Sequence, residues 1–239
     1  MHKVALVAAL EREVRRLIKV QRLRVREHPE SGLRFFEAEN VVLVCGGIGA
    51  EAARRAAEAV IKIYSPAVIY SVGFAGALDS GLKVGDVVQP SQVIHAGDGS
   101  RVPLSGGTGV LVSFGSVASP AQKAKLKESF GAQLVDMEAA AVARAAQARG
   151  VEFASVKAIS DGFDFTFPEI ERFVDSQGQF RQGRFAMFAA LRPWLWPKVR
   201  RLAINSDLAA TALCDWLNTS LNRMIAGAPD SKAETTQGQ

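Results

Sequence analysis

Two short acidic segments carry the side chains best suited to chemistry. The first is Asp136-Met137-Glu138, which is predicted to open an alanine-rich helix that runs to about Arg149. One carboxylate at a helix start is ordinary because the helix dipole favours it, but two acids around a methionine are less so. The second segment is Ser160-Asp161, at the C-terminal end of an apolar strand that starts at Val156. Since ligands of open α/β sheets bind just beyond strand ends, we predict that Glu138 and Asp161 face one pocket.

A third acid, Glu13, comes shortly after a predicted buried strand. Residues 3–10 (KVALVAAL) form a continuous apolar run, which is typical of a central strand covered on both faces. The chain then enters a charged helix, from Glu11 to about Val20. On the residues alone two interpretations of Glu13 stay open. The carboxylate could look into a site from the strand end, or it could be a solvated first-turn acid favoured by the helix dipole.

Two glycine-rich segments follow predicted strands. Residues 46–49 (GGIG) join a strand at Val41–Cys45 to a long helix predicted to end at Ile63. Glycines at such a turn allow close backbone approach and present helix N–H groups to an anion or a hydroxyl. The third glycine of the dinucleotide-binding fingerprint is missing, so NAD is not expected. The second segment, residues 73–78 (GFAGAL), is predicted to end the strand at residues 67–72.

Strands and helices alternate along the rest of the chain. Antiparallel strands are expected within residues 21–45, and further strands at 84–95 and 110–114. Pro120 starts a helix that reaches about Phe130, with proline at its favoured first position. Residues 96–109 are predicted to form a mobile loop. This alternation predicts an α/β layered fold.

Composition indicates a cytoplasmic globular protein. The chain has 239 residues with 48% apolar and 22% charged residues, enough for one large domain with a substantial core. No apolar run approaches the roughly 18 residues of a membrane span, and the N-terminus does not resemble a signal peptide. Cys45 and Cys214 indicate no disulfide framework. His2, His28 and His95 lack metal-ligand spacing, so no metal is expected.

The net charge of +5 is concentrated near the C-terminus. Residues 181–224 contain seven basic and two acidic residues, which equals the whole imbalance, together with Trp194, Trp196 and Trp216. Such a regional excess favours an anionic surface as partner over nucleic acid. Helices are predicted at 184–191 and 205–225, separated by residues 192–197 (RPWLWP), and residues 227–239 are predicted to be a disordered tail.

Four sequence blocks, in order, resemble the nucleoside phosphorylase and nucleosidase superfamily. They are AALEREV at residues 8–14, CGGIGAEAA at 45–53, VGFAGALDSGLKVGD at 72–86, and VDMEAAAV at 135–142 with AISD at 158–161. The nearest members are the nucleosidases that cleave methylthioadenosine and S-adenosylhomocysteine. The resemblance implies a three-layer α/β/α fold with a central mixed, partly barrel-like sheet. The chain adds C-terminal helices at about 181–226 to this single domain of residues 1–226.

The resemblance also implies roles for individual residues. Glu13 would hold and deprotonate the attacking water, and Asp161 would protonate the purine N7 with help from Ser160. Glu138 would bind the ribose 2′- and 3′-hydroxyls, with Met137 packed against the sugar. The remaining candidate substrate contacts are Ile48, Gly73, Phe74 and Lys157. No cofactor is implied, although phosphate is an alternative co-substrate.

Several positions depart from the family pattern. Phe74 occupies a position that is usually small, and Lys157 replaces an arginine that could make bidentate contacts. The aromatic residue that stacks on adenine in relatives has no clear counterpart near residues 116–118. The arginine that binds phosphate in phosphorylases is absent from residues 69–72 (IYSV), which favours hydrolysis over phosphorolysis.

The C-terminal region resembles a hopanoid-associated branch of the family, which implies adenosylhopane as substrate. Tryptophan and arginine mixed with apolar residues are typical of a membrane interface, although a helical cap or a subunit interface is the alternative. We therefore expect adenine release from a 5′-modified adenosine, with peripheral binding to the inner membrane surface and a homo-oligomer of at least two subunits. The alternatives are a salvage nucleosidase for methylthioadenosine, a purine nucleoside phosphorylase, and a non-catalytic nucleoside-binding protein.

Overall fold

A mixed β-sheet forms the centre of the molecule, with helices on both faces. The structure, a computed structural model, describes residues 3–165, 172–175 and 178–225. The strands within these residues are β1 (Val4–Ala8), β2 (Arg24–His28), β3 (Leu33–Glu37), β4 (Val41–Cys45), β5 (Val68–Ala77), β6 (Val87–Val88), β7 (Gln92–His95), β8 (Arg101–Pro103), β9 (Val110–Ser113), β10 (Leu134–Asp136) and β11 (Glu152–Asp161). The helices are α1 (Glu11–Val20), α2 (Ala50–Tyr64), α3 (Pro120–Phe130), α4 (Ala139–Gln147), α5 (Gln182–Ala190) and α6 (Trp196–Ile225).

The sheet branches at β5. The strand order is β2-β3-β4-β1-β5-β10-β9-β7-β8, and β11 pairs with β5 and β6 off this path. The first half of β5 is parallel to β1, its end is antiparallel to β10, and β11 runs parallel to nearly its whole length. The C-terminal ends of β1, β5 and β11 therefore meet at one edge of the sheet. This architecture confirms the predicted three-layer α/β class with a mixed sheet.

Both faces of the central strands are buried, as the continuous apolar pattern predicts. In β1, Ala5 and Val7 pack with α2 and α4, whereas Leu6 and Ala8 pack with α1 and α6. Successive side chains of a strand point to opposite faces, so a strand covered by helices on both sides must be apolar at every position. The position of Glu13 one turn into α1 follows from this packing, because Val14 and Leu17 anchor that helix to the core.

Three elements differ from their predicted bounds. The strand predicted at residues 67–72 extends through most of the glycine-rich segment at 73–78, because β5 continues to Ala77 along its pairing with β11. The predicted loop at 96–109 contains β8, which pairs antiparallel with β7. Helix α6 starts at Trp196 rather than near residue 205, directly after a 3₁₀ turn at Pro193–Leu195. A proline at the second position of α6 is compatible with a helix start, because the amide hydrogen it lacks would have no partner there.

The C-terminal helices separate the tryptophans that the sequence grouped together. Trp194 and Trp196 are 72% and 56% exposed, whereas Trp216 is half-buried against the core between α6 and α1. Trp216 therefore does not belong to the exposed surface that carries Trp194 and Trp196. Among the described helices, none combines the length and the apolar character needed to cross a membrane. The predicted tail at 227–239 lies outside the described residues.

Candidate active site

A cavity of about 450 Å³ opens at the edge where the strands end. Its volume is typical of small-molecule sites in proteins. The lining comes from the segments that follow β1, β4, β9 and β10, from helix α3 and from the ends of β5 and β11. One wall is formed by Phe165, Val174, Leu202 and Ser206. Seven of the nine candidate residues line it: Glu13, Ile48, Phe74, Met137, Glu138, Ser160 and Asp161.

Glu13 is buried at the base of the cavity and is only 5% exposed. Its carboxylate accepts a hydrogen bond from the backbone N–H of Leu10 at 3.4 Å, so it also caps the start of α1. Burial raises the pKa of Glu13, although the charges of Arg12 and Lys157 oppose this effect. The alternative of a solvated first-turn acid is excluded by this burial. A buried carboxyl group with a raised pKa is suited to accept a proton near neutral pH.

Gly73 lies against the carboxylate of Glu13 and is not among the described residues that line the cavity. A Cβ atom at position 73 would lie 2.8 Å from Oε2 of Glu13, closer than any ordinary contact. The absence of a side chain therefore makes room for the carboxylate. The described lining does not include Gly73, so the geometry gives no support to a direct substrate contact.

Glu138 is the N-cap residue of α4 and is held by two backbone donors. Its Oε1 accepts from the N–H of Gly49 at 2.9 Å, and its Oε2 accepts from the N–H of Met137 at 3.2 Å. The GGIG turn thus presents an N–H group to a carboxylate of the protein itself. Burial, with the neighbouring Asp136 carboxylate, raises the pKa of Glu138 to about 7.

Lys157 lies beneath the cavity, and its side chain is only 1% exposed. Its Nζ lies 2.8 Å from Oδ2 of Asp136 and donates to Oγ of Ser71 at 3.0 Å. Burial alone would lower the pKa of Lys157, but the Asp136 and Glu138 carboxylates outweigh it and the pKa is raised. Lys157 is therefore a buried counter-ion, and the described lining does not include it as a substrate contact. A lysine suits this role because its compact ammonium meets one carboxylate oxygen and one hydroxyl.

Asp136 anchors the acidic segment. Its Oδ1 accepts from Oγ of Ser113 at 2.5 Å, and its Oδ2 accepts from the N–H of Ala139 at 2.9 Å. These bonds, with Lys157, satisfy a carboxylate that is fully removed from water. Asp136 ends β10 and Glu138 caps α4, so the triplet joins a strand to a helix instead of lying within the helix.

Asp161 is held at both carboxylate oxygens at the end of β11. Ser160 donates its hydroxyl to Oδ1 at 2.9 Å, and Nζ of Lys123 lies 2.5 Å from Oδ2. A Cβ atom at Gly76 would lie 2.8 Å from the same Oδ2, so the glycine leaves the space that this carboxylate occupies. A quarter of the Asp161 side chain stays exposed toward the cavity.

Two cationic side chains of the lining were not found from the sequence. Lys123 reaches the site from α3, and Arg12 lies beside Glu13. Charged residues in the first turn of a helix usually indicate a solvated face, so neither position carried a signal. Within the part of the chain that the structure describes, no group of three or more His, Cys, Asp or Glu side chains could hold a metal ion.

A pocket at strand ends with four carboxyl groups, an ammonium and a guanidinium defines an α/β enzyme site built for acid–base chemistry. Comparison with known proteins agrees with this class. The family model described as Phosphorylase superfamily matches residues 3–114 and 103–189. The chain belongs to that superfamily, which confirms the resemblance and the prediction that the protein is an enzyme.

Individual relatives point to the same group. The chain is 28% identical to a 5′-methylthioadenosine/S-adenosylhomocysteine nucleosidase of Staphylococcus aureus, over 66% of this chain and 86% of that one. A nucleosidase of the same name from Marinomonas is 35% identical over a shorter region, which spans 40% of this chain and 42% of the relative. A Helicobacter pylori nucleosidase mutant with 5′-methylthioadenosine in its active site has the same fold, with a TM-score of 0.73 at 18% identity, and covers 93% of this chain and 99% of its own.

Proposed function

We propose that this enzyme hydrolyses the N-glycosidic bond of a 5′-modified adenosine and releases adenine. The observation that carries the proposal is the convergence of Glu13, Glu138 and Asp161 on one cavity from three separate parts of the chain. Similarity to nucleosidases for methylthioadenosine and S-adenosylhomocysteine supports the same chemistry. A protein that only binds nucleosides would not need two proton-transfer groups beside the sugar site.

In the proposed reaction, two carboxyl groups act on opposite sides of the breaking bond. Asp161 gives a proton to N7 of adenine as the C1′–N9 bond breaks, because a purine anion is a poor leaving group. Glu13 takes a proton from the water that attacks C1′. The products are adenine and a free ribose derivative, and these proton transfers need no cofactor.

Glu138 is assigned to the ribose. Its carboxylate is oriented by the N–H groups of Gly49 and Met137, and it lines the same cavity as Glu13 and Asp161. The 2′- and 3′-hydroxyls of ribose would donate hydrogen bonds to it and favour its ionised form. A carboxylate near C1′ also stabilises the positive charge that develops on the sugar as the bond breaks.

Phosphorolysis is the second candidate reaction, and Arg12 is the observation that favours it. The Nε of Arg12 is buried and has no hydrogen-bond partner within the described residues. Its guanidinium also lies 5.5 Å from the ring centre of Phe180. An arginine beside the attacking nucleophile could hold phosphate in place of the arginine that is missing from β5. Hydrolysis remains preferred because Glu13 is positioned as a base for water, which phosphate attack would not need.

Product analysis separates these reactions. Purified enzyme should release adenine and free ribose products from methylthioadenosine, S-adenosylhomocysteine and adenosine analogues in phosphate-free buffer. If base release requires phosphate and yields ribose 1-phosphates, phosphorolysis takes the place of hydrolysis. If no nucleoside of the panel releases base in either buffer while binding persists, the non-catalytic alternative holds.

The 5′ substituent is proposed to be a large apolar group, as in adenosylhopane of hopanoid lipid biosynthesis. The cavity wall that includes Phe165 and Leu202 belongs to a small apolar cluster built around Leu195. Residues 191–196, which include Leu195 of this cluster, expose the side chains of Leu191, Trp194 and Trp196 to solvent. An apolar surface continuous with the pocket wall suits a substrate drawn from a bilayer. A salvage enzyme for small soluble nucleosides is the alternative.

Exposed basic residues near the apolar residues in sequence support contact with anionic lipid. Arg184, Lys198, Arg200 and Arg201 are exposed on the same helices. Each such cation contributes about 1 kcal/mol near an anionic membrane surface. We therefore propose peripheral attachment at the inner membrane surface. The homo-oligomer expected from the family stays a prediction.

Replacing Trp194 and Trp196 together by alanine tests the membrane surface. We expect weaker sedimentation with anionic phosphatidylglycerol vesicles at low salt, and slower turnover of a lipid-linked adenosine, with methylthioadenosine turnover within about twofold of the parent. Val25→Ala removes an exposed apolar side chain from β2 and serves as the control. Equal losses on both substrates, or no vesicle binding by the parent protein, would make the salvage reaction the first choice.

A further inference from the structure

Lys123 is a buried lysine whose three ammonium protons all have acceptors on the last residue of β11 or on the segment that follows it. Its Nζ donates to Oδ2 of Asp161 at 2.5 Å, to the carbonyl oxygen of Gly162 at 2.7 Å and to that of Phe165 at 3.0 Å. The side chain is only 3% exposed. Burying an ammonium group costs free energy unless the group is paired with an opposite charge and fully hydrogen-bonded. The contacts of Lys123 meet both conditions.

The other lysines of the same helix give a contrast. Lys125 and Lys127 are exposed, and Lys127 pairs with Asp79 at the surface at 3.2 Å. Helix α3 therefore directs one lysine of three into the cavity. Because the acceptors lie on Asp161, Gly162 and Phe165, this lysine joins the proton donor to the apolar wall of the pocket.

We infer that Lys123 is a positioning residue for leaving-group protonation, acting through Asp161. The inference rests on the proposed function. When Asp161 gives its proton to N7, its carboxyl group becomes a carboxylate 2.5 Å from the Lys123 ammonium. The ion pair is therefore strongest after the proton has moved. Interactions that strengthen as charge develops accelerate the chemical step, whereas uniform binding does not.

Ser160 completes the arrangement on the other oxygen. Its hydroxyl donates to Oδ1 at 2.9 Å, so the carboxyl plane is fixed by one neutral and one charged donor. The two donors are not equivalent, because hydrogen bonds from charged groups are roughly twice as strong as neutral ones. The larger catalytic effect is therefore assigned to Lys123.

The test is a double-mutant cycle on methylthioadenosine with D161N, K123M and the double variant. K123M is expected to lower kcat by about 10²-fold, with KM within about threefold. The double variant should be no slower than D161N within about threefold, because Lys123 has no proton donor left to assist. A double variant that loses the product of both single effects would overturn the inference.

A second readout uses a leaving group that needs no proton. Cleavage of 4-nitrophenyl β-D-riboside, whose nitrophenolate leaves unprotonated, should fall less than about threefold in K123M. K123R keeps the positive charge and serves as the second variant in case K123M does not fold. Its kcat on methylthioadenosine should fall by less than about tenfold, and its kcat on the nitrophenyl riboside should hardly change. Equal losses on both substrates in either variant would show a structural role and overturn the inference.

Lys127→Met is the matched control, since it removes a lysine one turn along the same helix, and its kinetics should stay within about twofold of the parent. The parent enzyme decides the proposed function separately. If the parent enzyme releases no adenine from any nucleoside, the proposed function is wrong, and the inference about Lys123, which rests on it, is wrong as well. If the parent enzyme is active but the effects of D161N and K123M on kcat are additive, only the inference about Lys123 is wrong.

Discussion

Asp161→Asn is expected to lower the rate of adenine release from a 5′-modified adenosine by about 10²–10⁴-fold. An amide cannot give N7 the proton that the leaving purine needs. The amide oxygen of asparagine can accept from the Lys123 ammonium, and its NH2 group can donate to the Ser160 hydroxyl, so the local structure should persist. The measurement is kcat with saturating nucleoside, together with the melting temperature of both proteins.

Asp164→Asn provides the control for this substitution. Asp164 lies three residues further along and is exposed, so the same chemical change there should leave turnover within about twofold. A D161N protein that keeps more than about half of the parent rate would refute the assignment of Asp161 as the acid. Loss of rate together with a large fall in melting temperature would indicate a structural role instead.

Lys157→Met is expected to destabilise the fold by about 3–5 kcal/mol, because it leaves the Asp136 carboxylate buried without its counter-ion. For a domain of this size, each kcal/mol corresponds to roughly 2–4 °C in melting temperature. Thermal or chemical unfolding measures the effect. Lys83→Met, at an exposed lysine, is the control and should change stability by no more than about 0.5 kcal/mol.

The loss in Lys157→Met should grow as pH rises. In the parent, Lys157 opposes the upward pKa shifts of Glu13 and Glu138. Without it, the folded protein holds protons on these carboxyl groups to higher pH, while the unfolded chain releases them at ordinary values. Where the folded state binds more protons than the unfolded state, stability falls with increasing pH. The difference from the parent should therefore be smaller at pH 5 than at pH 8, and a pH-independent difference would contradict this electrostatic explanation.

Local signals in the sequence determined several elements because their causes lie within a few residues. Helix α3 has the predicted bounds since Pro120 occupies its first turn, Ser119 and Gln122 form a capping box, and Gly131 adopts the left-handed conformation at its end. The continuous apolar pattern of β1 likewise predicted a strand buried on both faces, because this pattern also lies within a few neighbouring residues. The sequence also predicted that Glu138 and Asp161 would share a pocket, because strand ends of an α/β sheet meet at one edge.

The extent of β5 was decided by tertiary structure. Glycine disfavours strands locally, and residues 73–78 were predicted as a strand end. In the fold, β11 pairs along this segment, and the glycines leave space for the carboxylates of Glu13 and Asp161. The need for glycine at these positions comes from side chains that are distant in sequence. Local propensity carries no information about those side chains.

The placement of the two buried lysines likewise required the tertiary structure. The sequence provided Lys123, Lys125 and Lys127 on one helix with nothing to distinguish them, and it assigned Lys157 to the substrate. Helix α3 lies beside β9, and of its three lysines only Lys123 reaches Asp161, whereas pairing of β11 with β5 directs Lys157 to Asp136 and Ser71. Which charge is buried depends on carboxylates brought close by the sheet. The energy of such a pair exists only once the fold has removed both partners from water.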